Sequence, residues 1–310
     1  MSIKPEPALN LSLAAENGGL MQLSGPDALA FAQAQFANDL TLLADGCWQW
    51  SLWLSPKGRV LALFALLRLD ARTLLLWLPD HPAEDLAQAL QRFRFRSKVE
   101  ITVLDTAQLL IGLDAPAHWG WDAVGSRAWI ESDAQGGWAR AVLDLGGQQP
   151  RTLCLEARAD TAAAPASAEV ATRWRAEDIA HGLPRLQAES VDAFTPHMLS
   201  LDRLGAFSVK KGCYPGQEIV ARTHFLGQAK RGLLRLAFDR PVSPGARLAG
   251  EDGAGAQVVS VVAAGEGVEA LAVGPREAVS PRWRSEDGAE ATVLPLLAGL
   301  ARGADGQAAR

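Results

Sequence analysis

Lys210-Lys211-Gly212-Cys213-Tyr214-Pro215-Gly216-Gln217-Glu218-Ile219-Val220-Ala221-Arg222 crowds reactive and conformationally special residues together, among them the chain's only tyrosine and one of its three cysteines. Tyr214-Pro215-Gly216-Gln217 suits a type II turn, because proline presets the second position and glycine accepts the positive φ of the third. A helix is expected to follow, with Gln217 and Glu218 in its first turn, where a carboxylate complements exposed amides, and Gly227 as its stop. Cys213 then stands just before a helix start and two residues from Lys211. Such surroundings favour the thiolate, the form that acts as nucleophile and metal ligand. The same letters also read as a strand, a Pro-Gly turn and a helix whose cysteine only fills apolar space, since free cysteine is among the most buried residue types. Exposure of the thiol separates the two readings.

On the N-terminal side of this stretch the pattern is mixed α and β. Gly25-Pro26-Asp27 opens a helix carrying Leu29, Ala32 and Phe36 at helical spacing. Residues 48–54 and 59–69 are apolar runs of strand length separated by Ser55-Pro56-Lys57-Gly58, which suits a type I turn, so they are expected to form a hairpin. A strand over 74–78 and a helix over 82–96 follow, the helix with Leu86, Leu90 and Phe93 along one face. Two strands over 99–113 precede a glycine- and tryptophan-rich irregular stretch to about residue 147. Residues 151–156 are extended, 157–168 an alanine-rich loop, and 169–181 a helix stopped by Gly182 with Pro184 beyond it. Beyond Arg231, short β runs at 233–238, 257–263, 270–273 and 291–297 alternate with turn residues, as in a small antiparallel barrel or sandwich. Residues 303–310 read as a disordered tail.

At 310 residues, two or three domains are expected, and 48% hydrophobic with 21% charged residues is a globular composition. The formal charge of −5 argues against a basic nucleic-acid surface, so no direct nucleic-acid partner is expected. Cys47, Cys154 and Cys213 include no Cys-x-x-Cys pair, and His81, His118, His181, His197 and His224 make no metal-spaced pair. Neither a disulfide framework nor a metal site can be written from them. A reducing cytoplasm fits, residues 1–10 are not a signal peptide, and no run reaches membrane-spanning length. A monomer is expected.

Lys-Gly-Cys-Tyr-x-Gly-Gln-Glu, at Lys211 to Glu218, resembles the signature of the YgfZ family of folate-binding proteins, relatives of the glycine-cleavage T-protein. The likeness continues through Phe194-Thr195-Pro196-His197-Met198-Leu199-Ser200-Leu201-Asp202 and through Arg222, Gly227 and Lys230-Arg231. It returns in Gln33-Ala34-Gln35-Phe36-Ala37-Asn38-Asp39 and in Ser55-Pro56-Lys57-Gly58-Arg59. The resemblance implies an α+β, T-protein-like aminomethyltransferase fold around a central cavity. Two interleaved α+β subdomains would occupy 1–232 and an antiparallel β-barrel 233–302.

It also implies a tetrahydrofolate-binding accessory protein that supports iron–sulfur cluster assembly or repair, with client enzymes (including tRNA-modifying ones) or assembly proteins as partners. A folate-dependent aminomethyl or one-carbon transferase is the alternative. In the first reading Cys213 is the reactive group and Lys211 lowers its pKa. Tetrahydrofolate, or a one-carbon derivative, would meet Asn38, Asp39, Arg59, Tyr214, Gln217, Glu218, Arg222 and Lys230.

Most of these residues have a plainer reading. Asn38 and Asp39 fit an Asx turn, Lys57 and Arg59 a solvated hairpin tip, and Glu218 with Arg222 an (i, i+4) ion pair. Lys230 and Arg231 fit a cover on the barrel, and Trp48, Trp50 and Trp53 fit core in place of a pterin-stacking slot. Three positions depart from the family. Ala180 stands where relatives carry a pterin-binding carboxylate or another charged group, with Glu177 and Asp178 as nearby substitutes. Ala37 replaces a threonine and Ser200 an asparagine.

Overall fold

The computed structural model describes residues 11–12, 19–105, 108–113, 126–149, 151–157, 164–165, 167–227, 229–277 and 280–302. Residues 1–10, the expected tail, half of the alanine-rich loop and residues 114–125 of the irregular stretch lie outside them. The first third runs β1 (Leu11–Ser12), β2 (Gly19–Ser24), α1 (Ala28–Gln35), β3 (Cys47–Leu54), β4 (Val60–Asp70), β5 (Thr73–Leu78), α2 (Ala83–Gln91) and β6 (Glu100–Val103). Next come β7 (Gln108–Leu113), β8 (Trp129–Ser132), β9 (Trp138–Asp144), β10 (Arg151–Glu156), β11 (Ala164–Pro165), α3 (Ala168–His181), a 3-10 turn (Leu201–Leu204) and α4 (Gln217–Leu226). The chain closes with β12 (Arg231–Phe238), β13 (Arg247–Gly250), β14 (Gly255–Ala264), β15 (Gly267–Pro275), β16 (Arg282–Ser285) and β17 (Glu290–Leu294).

These strands make an antiparallel sheet in the order β3-β4-β5-β2-β6, a second sheet in the order β11-β1-β7-β10-β9-β8, and a closed barrel, β12-β15-β14-β13-β16-β17. Barrel, not sandwich, is the outcome for the C-terminal strands. The apolar run of β4 lacks alternation because both faces of its sheet are covered. Leu63, Ala65 and Leu67 join one core with Trp48, Trp50 and Trp77, whereas Ala62, Phe64 and Leu66 join another with Phe31 of α1 and Leu86 of α2. The first of these cores also takes in Leu143 and Leu153 of the second sheet, Trp174 of α3 and Val259 and Leu271 of the barrel. A single apolar interior therefore ties the three sheets together.

Local signals placed most ends. Ser167 caps α3 by accepting from the Val170 amide at 3.3 Å, and Gly182, at φ +70°, ends it as expected. Trp48 and Trp50 are core residues, wholly buried. Three expectations change. The helix expected over 82–96 stops at Gln91, because the chain turns through Phe95 at φ +42° and Phe93 is left half exposed. The stretch before residue 147 is not irregular throughout, since β8 and β9 form a hairpin there. The last expected strand ends at Leu294, after which the chain leaves the barrel as a strap across the main core. There Ala180 accepts from the Leu297 amide at 2.9 Å, and Trp50 Nε1 donates to the Leu300 carbonyl at 2.9 Å. Among the described residues no helix is long and apolar enough to cross a membrane.

Candidate functional site

The four stretches that carry the resemblance meet in space. Gln217 N donates to the Tyr214 carbonyl at 3.2 Å and Gly216 sits at φ +79°, ψ 1°, which is the type II turn expected from Pro215-Gly216. α4 starts at once, its Ile219 amide bonded to the Gly216 carbonyl at 3.2 Å. Against this turn lies the β3–β4 hairpin tip, where the Gly58 amide bonds to the Ser55 carbonyl at 2.8 Å and Gly58 sits at φ +68°. Arg59 Nη1 reaches the Ala193 carbonyl at 2.6 Å, and the Val60 amide the Phe194 carbonyl at 2.8 Å, so the hairpin also holds the segment that begins at Phe194.

Lys211 is buried, and its ammonium donates to the carbonyls of Gln33 (2.6 Å), Phe36 (2.5 Å) and Asn38 (3.0 Å). These groups lie at the C-terminal end of α1, the negative end of its dipole, where a cation is favoured. All three ammonium donors are thereby used. Lys211 thus pins the 208–214 segment to α1, and its ammonium also lies 5.0 Å from the centre of the Tyr214 ring. Burial pushes its pKa down to about 8, against the pull of the Asp39 charge.

Much of the polar chemistry around it is spent internally. Asn38 Nδ2 donates to the Trp50 and Gly205 carbonyls, both at 2.7 Å, and its Oδ1 accepts from the Asp39 amide at 2.9 Å. Asp39 Oδ1 accepts from Gln33 Nε2 (3.0 Å), the Thr41 amide (3.0 Å) and the Thr41 hydroxyl (2.7 Å). Burial raises the Asp39 pKa, but the bonds from Thr41 and Gln33 and the Lys211 charge outweigh it and leave the carboxyl below its ordinary range. Tyr214 donates its hydroxyl to the Ser208 carbonyl at 3.0 Å, and burial pushes its pKa up to about 12. Gln217 Nε2 donates to the Lys211 carbonyl at 2.9 Å. Asn38, Asp39, Tyr214 and Gln217, expected to meet a cofactor, thus brace the motif from behind, and the Asx-turn reading holds for Asp39.

What remains free is different in kind. Cys213 is an exposed free thiol, which removes the filler reading, and a β-carbon at the exposed Gly212 would meet nothing within 4 Å. Glu218, Arg222 and Lys230 are exposed, and their side chains make no hydrogen bond or ion pair among the described residues, so the expected Glu218–Arg222 pair is not formed. His197 is 6% exposed, yet both of its ring nitrogens are buried without a partner. Its ring packs 5.0 Å from Phe207 and 6.2 Å from His224, and burial lowers its pKa, which keeps it neutral. Sequence reading names Cys213 as a candidate and passes over His197, because nothing local marks an imidazole as unpartnered.

Among the departures, Ser200 adopts φ +50°, the left-handed region that asparagine tolerates better than serine, and its hydroxyl accepts from the Leu233 amide at 3.0 Å. Asp178 cannot replace a carboxylate missing at Ala180. It is buried between Arg151 Nη1 (2.7 Å) and Arg185 Nε and Nη2 (2.9 and 2.6 Å). Glu177 lies 3.4 Å from His181 Nε2, but that nitrogen accepts from the Gln148 amide at 2.9 Å and burial lowers the ring's pKa, so the contact is not an ion pair. Among the described residues no group of three metal-ligating side chains converges.

No family model matches the chain. Individual proteins do. It is 28% identical over 224 residues to the tRNA-modifying protein YgfZ of Colwellia psychrerythraea, covering 70% of this chain and 68% of that one. Proteins of the same name from Edwardsiella ictaluri and Vibrio vulnificus are 32% and 30% identical over 229 and 241 residues, covering 70% and 74% of this chain and 67% and 71% of theirs. Among solved structures, the glycine cleavage system aminomethyltransferase T from Bartonella henselae superposes with a TM-score of 0.67 over 92% of this chain and 84% of that one. At 15% identity that likeness is one of fold, and it gives the present chain the aminomethyltransferase T architecture.

Proposed function

The chain belongs to the YgfZ family, and on that premise we propose that it is a tetrahydrofolate-binding accessory protein supporting iron–sulfur cluster assembly or repair in client enzymes, with Cys213 as its reactive group. The observation that carries this reading is the contrast inside the motif, where Lys211, Tyr214 and Gln217 are locked by internal bonds while Cys213 stands exposed. An exposed thiol on a braced turn suits transient ligation of iron or sulfur on its way to a client, and the open space at Gly212 lets a bulky partner approach. tRNA-modifying enzymes are among the proposed clients.

The free groups also suit a folate. Arg222 and Lys230 would meet the glutamyl carboxylates, and His197, with one ring N–H and one lone pair unpartnered, would meet a donor and an acceptor of the ligand. Bound tetrahydrofolate supplies a carrier for one-carbon groups. The alternative, an aminomethyl or one-carbon transferase, needs a carboxyl poised as acid or base near the reacting nitrogens. Asp39 is unsuited to that task, its Oδ1 being committed to Thr41 and Gln33 and its carboxyl held below the ordinary range.

The test is Cys213→Ala. The variant is expected to lose support of cluster enzymes in cells lacking their own YgfZ protein while binding tetrahydrofolate as before. Support that persists removes the thiol role, and turnover of an aminomethyl donor with tetrahydrofolate, read by mass analysis, moves the reading to the transferase.

A further inference from the structure

The turn after α2 reads Arg92-Phe93-Arg94-Phe95-Arg96-Ser97-Lys98, four cations and two aromatics with no carboxylate. Every one of these residues except Ser97 is exposed, Phe95 at 96% and Phe93 at 48%. The side chains of Arg92, Arg94, Arg96 and Lys98 make no hydrogen bond or ion pair among the described residues. Phe95 holds φ +42°, a conformation that bulky side chains adopt only at a cost, and it gains no packing in return. The backbone of the turn is nonetheless fixed. The Lys98 amide donates to Asp27 Oδ2 at 2.7 Å, the Asp27 amide to the Lys98 carbonyl at 3.3 Å, and the Ser97 amide to the Arg94 carbonyl at 2.8 Å. The exposed Arg72 accepts through its carbonyl from the Gly25 amide at 2.9 Å; among carboxylates, Asp27 is bonded to the turn, the exposed Glu100 follows it, and the exposed Glu84 and Asp85 precede it in α2.

We propose that this turn is a binding surface for single-stranded nucleic acid, RNA in the first instance. Free guanidinium groups interleaved with projecting aromatic rings match a phosphate backbone and unstacked bases: arginine pairs bidentately with phosphate, and any base can stack on phenylalanine. Three arginines to one lysine favour this partner over a plain charge contact. The whole-chain charge of −5 conceals the patch, because it is a sum over acidic surface elsewhere. The proposal does not depend on the role proposed for Cys213.

Fluorescence anisotropy of a labelled single-stranded 12-nucleotide RNA with the full chain tests it, with the same-sequence DNA and an RNA duplex as competitors. Binding is expected to weaken about tenfold or more between 50 and 200 mM salt, as three or four phosphate contacts require. Phe95→Ala is expected to cost about 5- to 160-fold, the range for one base stacked on an aromatic ring, and R92Q/R94Q/R96Q to abolish binding. Far-UV circular dichroism and Tm are expected to be unchanged by these exposed substitutions. Competition by DNA equal to that by RNA leaves single-strand binding standing and removes the RNA preference. The proposal is overturned by RNA binding that survives the triple variant, by the absence of RNA binding at 50 mM salt, or by capture of the protein on phosphatidylglycerol vesicles without RNA binding, which would make the turn a membrane contact.

Discussion

Gly58 of the β3–β4 hairpin tip and Gly216 of the Pro215-Gly216 turn face each other so closely that a β-carbon on Gly216 would lie 2.6 Å from Gly58 Cα. Both residues have positive φ, so each is glycine for its own conformation as well as for its neighbour. Gly216→Ala is therefore expected to destabilise the protein by about 2–4 kcal/mol in urea denaturation, from the left-handed backbone and the collision together. Gly212→Ala is expected to stay within about 0.5 kcal/mol of the parent. If Gly212 serves approach to Cys213, that stable variant still loses cluster-enzyme support. Full support by Gly212→Ala would assign the glycine no such role.

The Lys211 ammonium holds three carbonyls at the end of α1. Lys211→Met removes the donors and leaves those carbonyls unpaired, at an expected cost of about 3 kcal/mol. Urea denaturation of the variant beside the parent reads that loss. A loss below about 1 kcal/mol would mean that the freed carbonyls find other donors.

His197 carries two buried ring nitrogens without partners. Burying polar groups unpaired costs about 1–3 kcal/mol, so His197→Leu is expected to stabilise the ligand-free protein by about 1 kcal/mol while weakening tetrahydrofolate binding at least tenfold. Thermal melts and a folate titration read the two effects separately. Unchanged folate affinity would leave the unpaired imidazole without a ligand to serve.

Asp80 accepts from the Leu186 amide, and burial raises its pKa to about 7 despite the nearby Arg185 charge. A carboxyl whose pKa is raised on folding holds a proton in the native state that the unfolded chain has already lost. Its contribution is complete below about pH 4 and disappears as pH rises through about 7, a total on the order of 2–4 kcal/mol. Asp80→Asn keeps an acceptor and buries no charge. Its stability relative to the parent is expected to increase from pH 5 to pH 8 in urea melts at each pH. A difference that stays constant across that range contradicts the buried proton.

Much of this protein was legible in its letters. The Pro215-Gly216 turn, the hairpin at 55–58, the stop at Gly182 and four of the six barrel strands follow from φ preferences and apolar periodicity, which act over a few residues. α2 was read too long because Leu86, Leu90 and Phe93 keep helical spacing, while the end at Gln91 is set by the fixed turn that leads into β6. The strap at 295–302 was read as barrel because its apolar residues are buried, but in the main core.

The sequence alone determined the family, the mixed α and β region followed by all-β, and the cysteine as the residue to ask about, since these rest on local pattern and on the motif from Lys211 to Glu218. Which polar groups remain free was decided only by the tertiary structure. Lys211 finds the Phe36 carbonyl 175 positions away, and Asn38 finds the Gly205 carbonyl 167 positions away. A hydrogen bond satisfies a lysine or an asparagine regardless of distance along the chain, so no local reading can tell a residue that braces the motif from one that faces a ligand.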